Sequence, residues 1–145
     1  MKLVFRADKS ADEVQVLVIA REKTPEVERI LAKLQERVRI AAYSERGEEL
    51  IELPEIIRIY TERRRVLLDS VRGTFSLRSR IYEAEEKLGG GFVRISNSEI
   101  VNREHIRSLD FSLAGTIRLQ LTGGIETYVS RRYVSRIKGT FGGKL

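Results

Sequence analysis

The 145-residue sequence contains no cysteine or tryptophan, and only one histidine and one methionine. Without cysteine it can form no disulfide, perform no thiol chemistry and build few kinds of structural zinc site. No apolar run approaches the roughly 18 residues that cross a bilayer, and the N-terminal MKLVFRADKS lacks the continuous apolar segment of a signal peptide. A chain of this length can bury a real core as one domain. We therefore expect a cytoplasmic globular protein without membrane insertion.

Groups that carry catalysis are also scarce. Ser98, His105 and Asp110 can be written as a triad, but nothing in their spacing supports that geometry. Packing near the core or capping of a local turn is the simpler role for the single histidine. Gly89–Gly91 follows a predicted helix and is expected to end it, since a phosphate-binding loop would precede a helix. No Asp/Glu cluster has metal-ligand spacing. The sequence therefore predicts no enzyme, no bound metal and no cofactor.

Positive charge is concentrated in one part of the chain. Residues 1–50 carry ten basic and ten acidic side chains, whereas residues 51–145 carry seventeen and eleven, which accounts for the whole net charge of +6. Twenty of the 27 basic residues are arginine, whose planar guanidinium suits bidentate contacts to phosphates and guanine edges. Charge alone fits a solvated surface as well as it fits an anionic partner.

The N-terminal region has the pattern of a strand followed by a helix. Val14–Ala20 is rich in β-branched residues and predicts a buried strand. Thr24 and Pro25 suit the N-cap and first helical position of a helix with one apolar stripe. We place this unit at residues 1–42, as a possible dimerisation element, and a second domain at residues 43–145.

The second domain is predicted to be mostly β with two or three helices (α+β) and without a helix-turn-helix. Ser76 is the expected cap of a helix that ends at Gly89, and a short helical turn or loop with a frayed tail is expected after the last strand. The expected strands are Val38–Ile40, Glu48–Leu53, Ile56–Tyr60, Val66–Val71, a strand from Phe92, and a hairpin of Thr116–Leu121 with Ile125–Val129.

Polar or basic residues fill three of the connections between strands. Arg63–Arg65 joins two strands, where a charge run is solvated or contacts nucleic acid. Ser96–Ser98 is either a turn held by side-chain-to-backbone bonds or a presentation of Asn97 to adenine with serines on phosphates. Arg131 and Arg132 repeat the theme at another strand end. The lack of interleaved aromatics favours duplex contact over base stacking.

These residues resemble a known family. The run FVRISNSEIVN at Phe92–Asn102, followed by Ile106, is similar to the signature of the LytTR family of bacterial DNA-binding domains. Glu85–Leu88, Ile117–Leu121 and Tyr128–Val134 fit the same family in order and spacing, so the resemblance covers roughly residues 45 to 138.

The resemblance implies a LytTR-like β-strand domain that puts loops into successive major grooves of double-stranded DNA, and a transcription regulator that binds paired sites, as a homodimer at least on DNA. Family contacts carry over to Arg63 or Arg64 in the first loop, Asn97 in the second and Arg132 in the third. We include Ser96, Ser98 and Arg131 as DNA-binding candidates, and Arg94, which either contacts phosphate or braces its loop. The sequence shows no receiver domain upstream, so it resembles the short stand-alone members.

Two other functions compete with this interpretation. An RNA-binding module of similar charge is disfavoured because the loops lack aromatic platforms. A basic interaction domain without catalytic activity, docking an acidic protein, is the other alternative. In the main interpretation Val93, Ile95 and Val101 anchor the scaffold, Asn97 faces DNA, and Asn102 fastens the local turn from within.

Overall fold

The computed structural model describes residues 1–35 and 38–141 and divides into two units. The first is Met1–Leu34, and the second begins at Gln35. The described part of the chain contains no helix long and apolar enough to cross a membrane.

In the first unit the predicted helix forms, whereas the predicted strand does not. Helix α1 spans Pro25–Gln35, and the Thr24 hydroxyl accepts the N–H of Val27 at 3.3 Å, as expected of an N-cap. Residues 1–24 contain no strand, and Val14–Ala20, predicted as a buried strand, has no regular secondary structure and is largely exposed. The composition of this segment favours an extended backbone, but a strand also needs a hydrogen-bonded neighbour, which residues 1–24 do not supply.

The second unit contains ten strands and two α-helices among its described residues. The elements are β1 Arg39–Ser44, β2 Gly47–Glu52, β3 Ile56–Glu62, β4 Arg65–Ser70, β5 Gly73–Leu77, α2 Ile81–Leu88, β6 Phe92–Ser96, β7 Glu99–Asn102, β8 Ile106–Asp110, β9 Ile117–Leu121, β10 Ile125–Val129 and α3 Arg131–Phe141. A seven-stranded antiparallel sheet has the order β2-β1-β5-β4-β3-β7-β6, and a three-stranded antiparallel sheet has the order β10-β9-β8.

Two apolar clusters hold these layers together. The first joins one face of the large sheet to α2, with Ile59, Leu68 and Ile100 packed around Ala84 and Leu88. The second packs β3, β6 and β7 against the small sheet and α3, and its members are Ile57, Val93, Ile95, Val101, Ile117, Leu119, Leu121, Val129 and Ile137. The strands β3, β6 and β7 therefore have apolar contacts on both sides, which fixes the ends of their hairpins.

The predicted fold, mostly β with two or three helices, is confirmed: the described residues contain three α-helices. Local differences remain. Ile56–Tyr60 lies in β3, Ile117–Leu121 is β9, and among the described residues no two consecutive helices are joined by a tight turn. The helix expected from Ser76 begins instead at Ile81, since Ser76 and Leu77 belong to β5 and pair with β4.

The C-terminal helix also differs from its prediction. The segment Arg131–Ile137, predicted as a helical turn or loop, belongs to α3, which runs on to Phe141. The frayed tail predicted from Thr140 overlaps the end of this helix. The rest of the predicted tail, residues 142–145, lies outside the described residues.

Candidate nucleic-acid interface

Three polar connections converge at one end of the second unit. The turn after β3 and the turn before β7 are adjacent because β3 and β7 pair antiparallel, and the N–H of Thr61 donates to the carbonyl of Ser98 at 2.8 Å. The connection from β10 to α3 joins them, since the N–H of Ser130 donates to the carbonyl of Ile95 at 2.9 Å. We call this end of the unit the loop edge. It comprises Arg63–Arg64, Asn97–Ser98 and Ser130–Arg132.

The first connection is a tight hairpin. Glu62 pairs with Arg65, which leaves Arg63 and Arg64 as a two-residue turn with φ values of 51° and 67°. Positive φ at both central positions is the type I′ pattern, where asparagine and glycine are usual and a larger side chain costs about 1–2 kcal/mol per residue. Both arginines are exposed. The turn therefore carries two charges on a strained but closely defined backbone, not on a flexible connection.

Arg94 holds the second connection, the turn at Ser96–Ser98, from its less exposed side. Its guanidinium donates to the carbonyls of Ser96 and Asn97 and forms a 2.9 Å ion pair with Glu85 of α2. The Arg94 side chain is only 14% exposed. These bonds support the bracing alternative for Arg94.

Within that turn the serines are bonded to one another. The Ser96 hydroxyl accepts the N–H of Ser98 at 3.1 Å, and the two hydroxyls lie 3.3 Å apart. Ser96 is half-buried, whereas Ser98 and Asn97 are exposed. The turn-stabilising function considered for this serine pair is therefore present, and the Asn97 side chain is left at the surface.

A β-bulge in β6 positions the third connection at the loop edge. Arg94 pairs with Ile100 and Ser96 with Glu99, so Ile95 is the extra residue in β6. Ile95 is fully buried, and its carbonyl receives the N–H of Ser130. Helix α3 begins at Arg131, directly after Ser130. Its first two side chains, Arg131 and Arg132, are exposed at the loop edge.

Arg131, the first residue of α3, lies against the connection between β8 and β9. The guanidinium of Arg131 lies against Gly115, where an added Cβ would come within 3.1 Å of its Nε. The positive φ of 75° at Gly115 belongs to the turn that accommodates this approach. Arg131 is thus held against the connection between β8 and β9 while it remains exposed.

A part-buried ion-pair network lies behind the loop edge. Arg58 donates to Asp69 at 2.8 Å and to Glu99 at 3.2 Å. Glu99, the first residue after the Asn97–Ser98 turn, also accepts the hydroxyl of Thr127 on β10 at 2.9 Å. The network therefore ties the second hairpin to both β3 and the small sheet.

The charges of this network reinforce one another. Burial lowers the pKa of Arg58, but the hydrogen bond to Asp69 and the charges of Glu99 and Asp69 outweigh burial and raise it above the ordinary arginine value. Burial and the charge of Asp69 also raise the pKa of Tyr60. The centre of the Tyr60 ring lies 4.1 Å from Cζ of the Arg58 guanidinium. Arg58 therefore stays charged and serves as a fixed cross-brace.

The residues of the possible triad are not brought together. His105 Nε2 lies 2.8 Å from the carbonyl of Pro54 and Nδ1 lies 2.8 Å from the Thr122 hydroxyl. A carbonyl can only accept, so Nε2 carries the proton. Asp110 bonds to Ser112 and Arg118. His105 thus bridges the turns at Pro54 and Thr122, which are distant from it in the sequence, and does not cap a local turn.

The buried role predicted for Asn102 is confirmed. Its side chain is in a residue only 3% exposed, where Nδ2 donates to the carbonyl of Ile56 at 2.8 Å and Oδ1 accepts the N–H of Glu104 at 3.0 Å. Asn102 therefore fastens the turn after β7 to the start of β3.

Three residues that shape the loop edge were not singled out from the sequence. Glu99 and Thr127 belong to the Arg58 network behind the loop edge. Tyr133 donates its hydroxyl to Asn97 Oδ1 at 3.0 Å. Glu99 offered a signal, because a carboxylate directly after a turn in a basic domain needs a partner. Nothing in the sequence alone paired it with Arg58, or Tyr133 with Asn97.

Comparison with known proteins agrees with this architecture. Residues 47–142 match the family model described as the LytTr DNA-binding domain. An uncharacterized HTH-type transcriptional regulator of Staphylococcus aureus strain NCTC 8325 / PS 47 is 34% identical over 99 residues, which cover 68% of this chain and 67% of that protein. The corresponding protein of strain MRSA252 is 33% identical over the same coverage.

A solved structure shows the same fold. The LytTr DNA-binding domain of a methyl-accepting/DNA response regulator from Bacillus cereus superposes with a TM-score of 0.70 at 20% identity, covering 73% of this chain and 98% of that one. The staphylococcal relatives carry a helix-turn-helix name, whereas in the described residues of this chain strands separate every pair of α-helices.

The fold and the family match define a β-rich DNA-binding domain. The chain belongs to the LytTr DNA-binding domain family. The resemblance drawn from the FVRISNSEIVN run is thereby confirmed, as is the predicted DNA-binding function, and the alternatives of an RNA-binding module or a basic interaction domain are not favoured.

Proposed function

We propose that the chain is a sequence-specific transcription regulator that binds duplex DNA through its loop edge. The observation that carries this proposal is the pair of backbone hydrogen bonds, Thr61 to Ser98 and Ser130 to Ile95, that brings the three connections together. Five exposed side chains with positive charge or an amide then lie on one end of the unit, namely Arg63, Arg64, Asn97, Arg131 and Arg132.

The dimensions of the loop edge suit duplex DNA. Neighbouring strands lie about 4.8 Å apart, so the centres of the first two turns are about 10 Å apart, which exceeds the width of a minor groove, about 6 Å. The third connection extends the edge to on the order of 15 Å. An edge of this width, with arginine side chains at both ends, can lie across a minor groove and reach the major grooves on either side of it.

Each candidate has a distinct role in this proposal. Asn97 reads a base, because its amide can both donate to and accept from adenine. Ser98 and the two arginines of the first turn hold phosphates, and the arginines at the start of α3 divide between base and phosphate. Arg94 and Ser96 fix the turn that carries Asn97.

Residues 1–34, the part of the predicted N-terminal element that forms the first unit, serve as the association element, and the protein is a homodimer on paired sites. In support, Val14, Val16, Leu17 and Ile19 are between 64% and 94% exposed. Exposed apolar segments of this length mark interaction surfaces. The second unit, which begins at Gln35 and includes β1, then forms the DNA-binding domain. The relatives are bacterial proteins, and we propose that this chain acts in a bacterial cytoplasm and carries out no catalysis.

A binding assay against three ligands tests the proposal. The duplex of highest affinity is selected from a random pool, and its binding is compared with a scrambled duplex and with RNA of the same sequence. We expect binding to the selected duplex to exceed binding to the scrambled duplex by at least about 1000-fold at physiological salt. Equal affinity for both duplexes, or tighter binding to RNA, would contradict the proposal.

A further inference from the structure

Tyr133 lies in the first turn of α3, and its hydroxyl donates to Asn97 Oδ1 at 3.0 Å. Its ring is half-buried against the second apolar cluster, and the Arg136 guanidinium lies 5.0 Å from the ring centre. The N–H of Tyr133 also donates to the carbonyl of Ser130 at 2.9 Å. The hydroxyl therefore reaches the Asn97 turn from a ring that is itself fixed.

The Asn97 side chain is thereby restrained both at the backbone and at its amide group. Arg94 holds the carbonyls of Ser96 and Asn97, which fixes the backbone from which the side chain projects. The tyrosine hydroxyl donates to Oδ1 at 3.0 Å, so the oxygen end of the amide faces Tyr133 in this structure. Both protons of Nδ2 and the second lone pair of Oδ1 remain for a ligand.

This restraint matters for readout, because an amide that reads adenine must present its donor and acceptor in a fixed order. A flipped amide would present the reverse order. Immobilising a side chain only on binding also lowers affinity, and a group held in place beforehand avoids that loss. We propose that Tyr133 is a positioning residue that holds the Asn97 amide in one orientation for sequence readout, an inference that rests on the proposed function of the loop edge.

The test is a double-mutant cycle with Tyr133→Phe, Asn97→Ala and the double variant in the full-length protein. Tyr133→Phe keeps the ring and removes only the hydroxyl. We expect it to weaken binding to the selected duplex about 5-fold, as the loss of one hydrogen bond implies, and to leave binding to the scrambled duplex unchanged. In the Asn97→Ala background the same substitution should add no further loss.

Tyr128→Phe is the matched control. Tyr128 on β10 donates its hydroxyl to Glu126 at 2.7 Å and is exposed, so the substitution removes a comparable bond that does not involve Asn97. Its binding to both duplexes should equal that of the unaltered protein. Thermal unfolding of all variants then separates losses of binding from losses of folded protein.

Three results would overturn the inference. They are equal losses on both duplexes for Tyr133→Phe, a loss that adds fully to that of Asn97→Ala, and no loss at all. The side-chain amide signal of Asn97 in the NMR spectrum of the free protein gives an independent reading, since Tyr133→Phe should shift or broaden it. An unaltered protein without preference for the selected duplex would refute the proposed function, whereas an unchanged Asn97 signal would refute the positioning role alone.

Discussion

The backbone N–H of Thr61 donates to the carbonyl of Ser98 at 2.8 Å, and this bond joins two hairpins whose turns are 34 residues apart in the sequence, as the step from Arg63 to Asn97 shows. Each turn by itself is an ordinary surface feature. Joined, they present two arginines and an asparagine along one end of a sheet.

Asn97→Ala should reduce affinity for the selected duplex by about 1–3 kcal/mol and have little effect on a scrambled duplex, because the amide contacts a base and not the backbone. Titration of both duplexes by fluorescence anisotropy measures the two losses. The matched control is Ser98→Ala, which keeps Asn97 and should lower both affinities alike. Equal losses on both duplexes for Asn97→Ala would mean that this turn does not read sequence.

Arg63→Asn combined with Arg64→Gly should stabilise the fold while it weakens DNA binding. These residues suit a type I′ turn, so the double variant should raise the free energy of unfolding by about 1–2 kcal/mol. It also removes two charges, which should weaken binding to every duplex and reduce the salt slope by about 2. Urea unfolding and a salt titration measure the two effects.

The control for this variant is Arg64→Ala, which removes one charge but leaves a Cβ at a φ of 67°. It should lose DNA affinity without gaining stability. If the Asn–Gly variant unfolded at the same urea concentration as the unaltered protein, the arginine turn would carry no strain and this interpretation would be wrong.

The strands could be predicted where the signal is local. Alternation of apolar and polar side chains predicts β3 and β9, and a polar run between apolar segments predicts the turn at Ser96–Ser98. The sequence does not predict the strand at Ser76–Leu77, because Leu77, Ile81, Ala84 and Leu88 also fit a helical stripe. In the structure Leu77 pairs with Val66 of β4, and helical spacing cannot reveal such a partner.

In the candidate site, too, the sequence predicts the exposed polar residues but not the contacts that form on folding. Asn97 and the arginines stand out because polar residues at strand ends are visible in the sequence, and the family resemblance adds weight to them. The role of Arg94 could not be chosen, because its acceptors are the carbonyls of a turn whose geometry forms only on folding. The hydrogen bond between Tyr133 and Asn97 joins residues that are 36 apart in the sequence, and no sequence pattern predicts it or the nearby bulge at Ile95.

Asn102→Ala should destabilise the second unit without altering sequence preference. The substitution leaves the carbonyl of Ile56 and the N–H of Glu104 without their side-chain partner in a site that is 3% exposed. We expect the free energy of unfolding to fall by about 1–3 kcal/mol. At a temperature where the variant is folded, the ratio of its affinities for selected and scrambled duplex should match that of the unaltered protein, and a changed ratio would place Asn102 in the readout.

Deletion of residues 1–34 should separate DNA contact from association. The second unit begins at Gln35 and contains both apolar clusters, so we expect it to fold alone. The shortened chain should bind a single half-site with the affinity of the full chain but lose at least about 10-fold on a duplex with two half-sites, because linked binding events gain effective concentration. Sedimentation on both duplexes reports the number of copies bound, and an undiminished two-site affinity would assign association to the second unit.

Arg132→Ala and Arg131→Ala should differ in how their losses depend on sequence and salt. Both side chains are exposed at the start of α3, but Arg131 lies against Gly115, whereas Arg132 precedes the tyrosine that contacts Asn97. We therefore expect Arg132 to read a guanine edge, so that its loss costs about 1–3 kcal/mol on the selected duplex and little on a scrambled one. Arg131 should hold a phosphate, so that its loss weakens binding to both duplexes and reduces the salt slope by about 1.

Arg107→Ala is the matched control for both variants. Arg107 is an exposed arginine of β8 next to Ile106, which pairs with Leu121 at the end of β9 remote from the Ile117–Val129 pair. Its removal takes away the same charge at a distance from the loop edge. It should leave both affinities and the salt slope close to those of the unaltered protein. A uniform loss with a smaller slope for Arg132→Ala would assign that side chain to phosphate, and a slope reduction as large for Arg107→Ala would show that net charge, not position at the loop edge, governs binding.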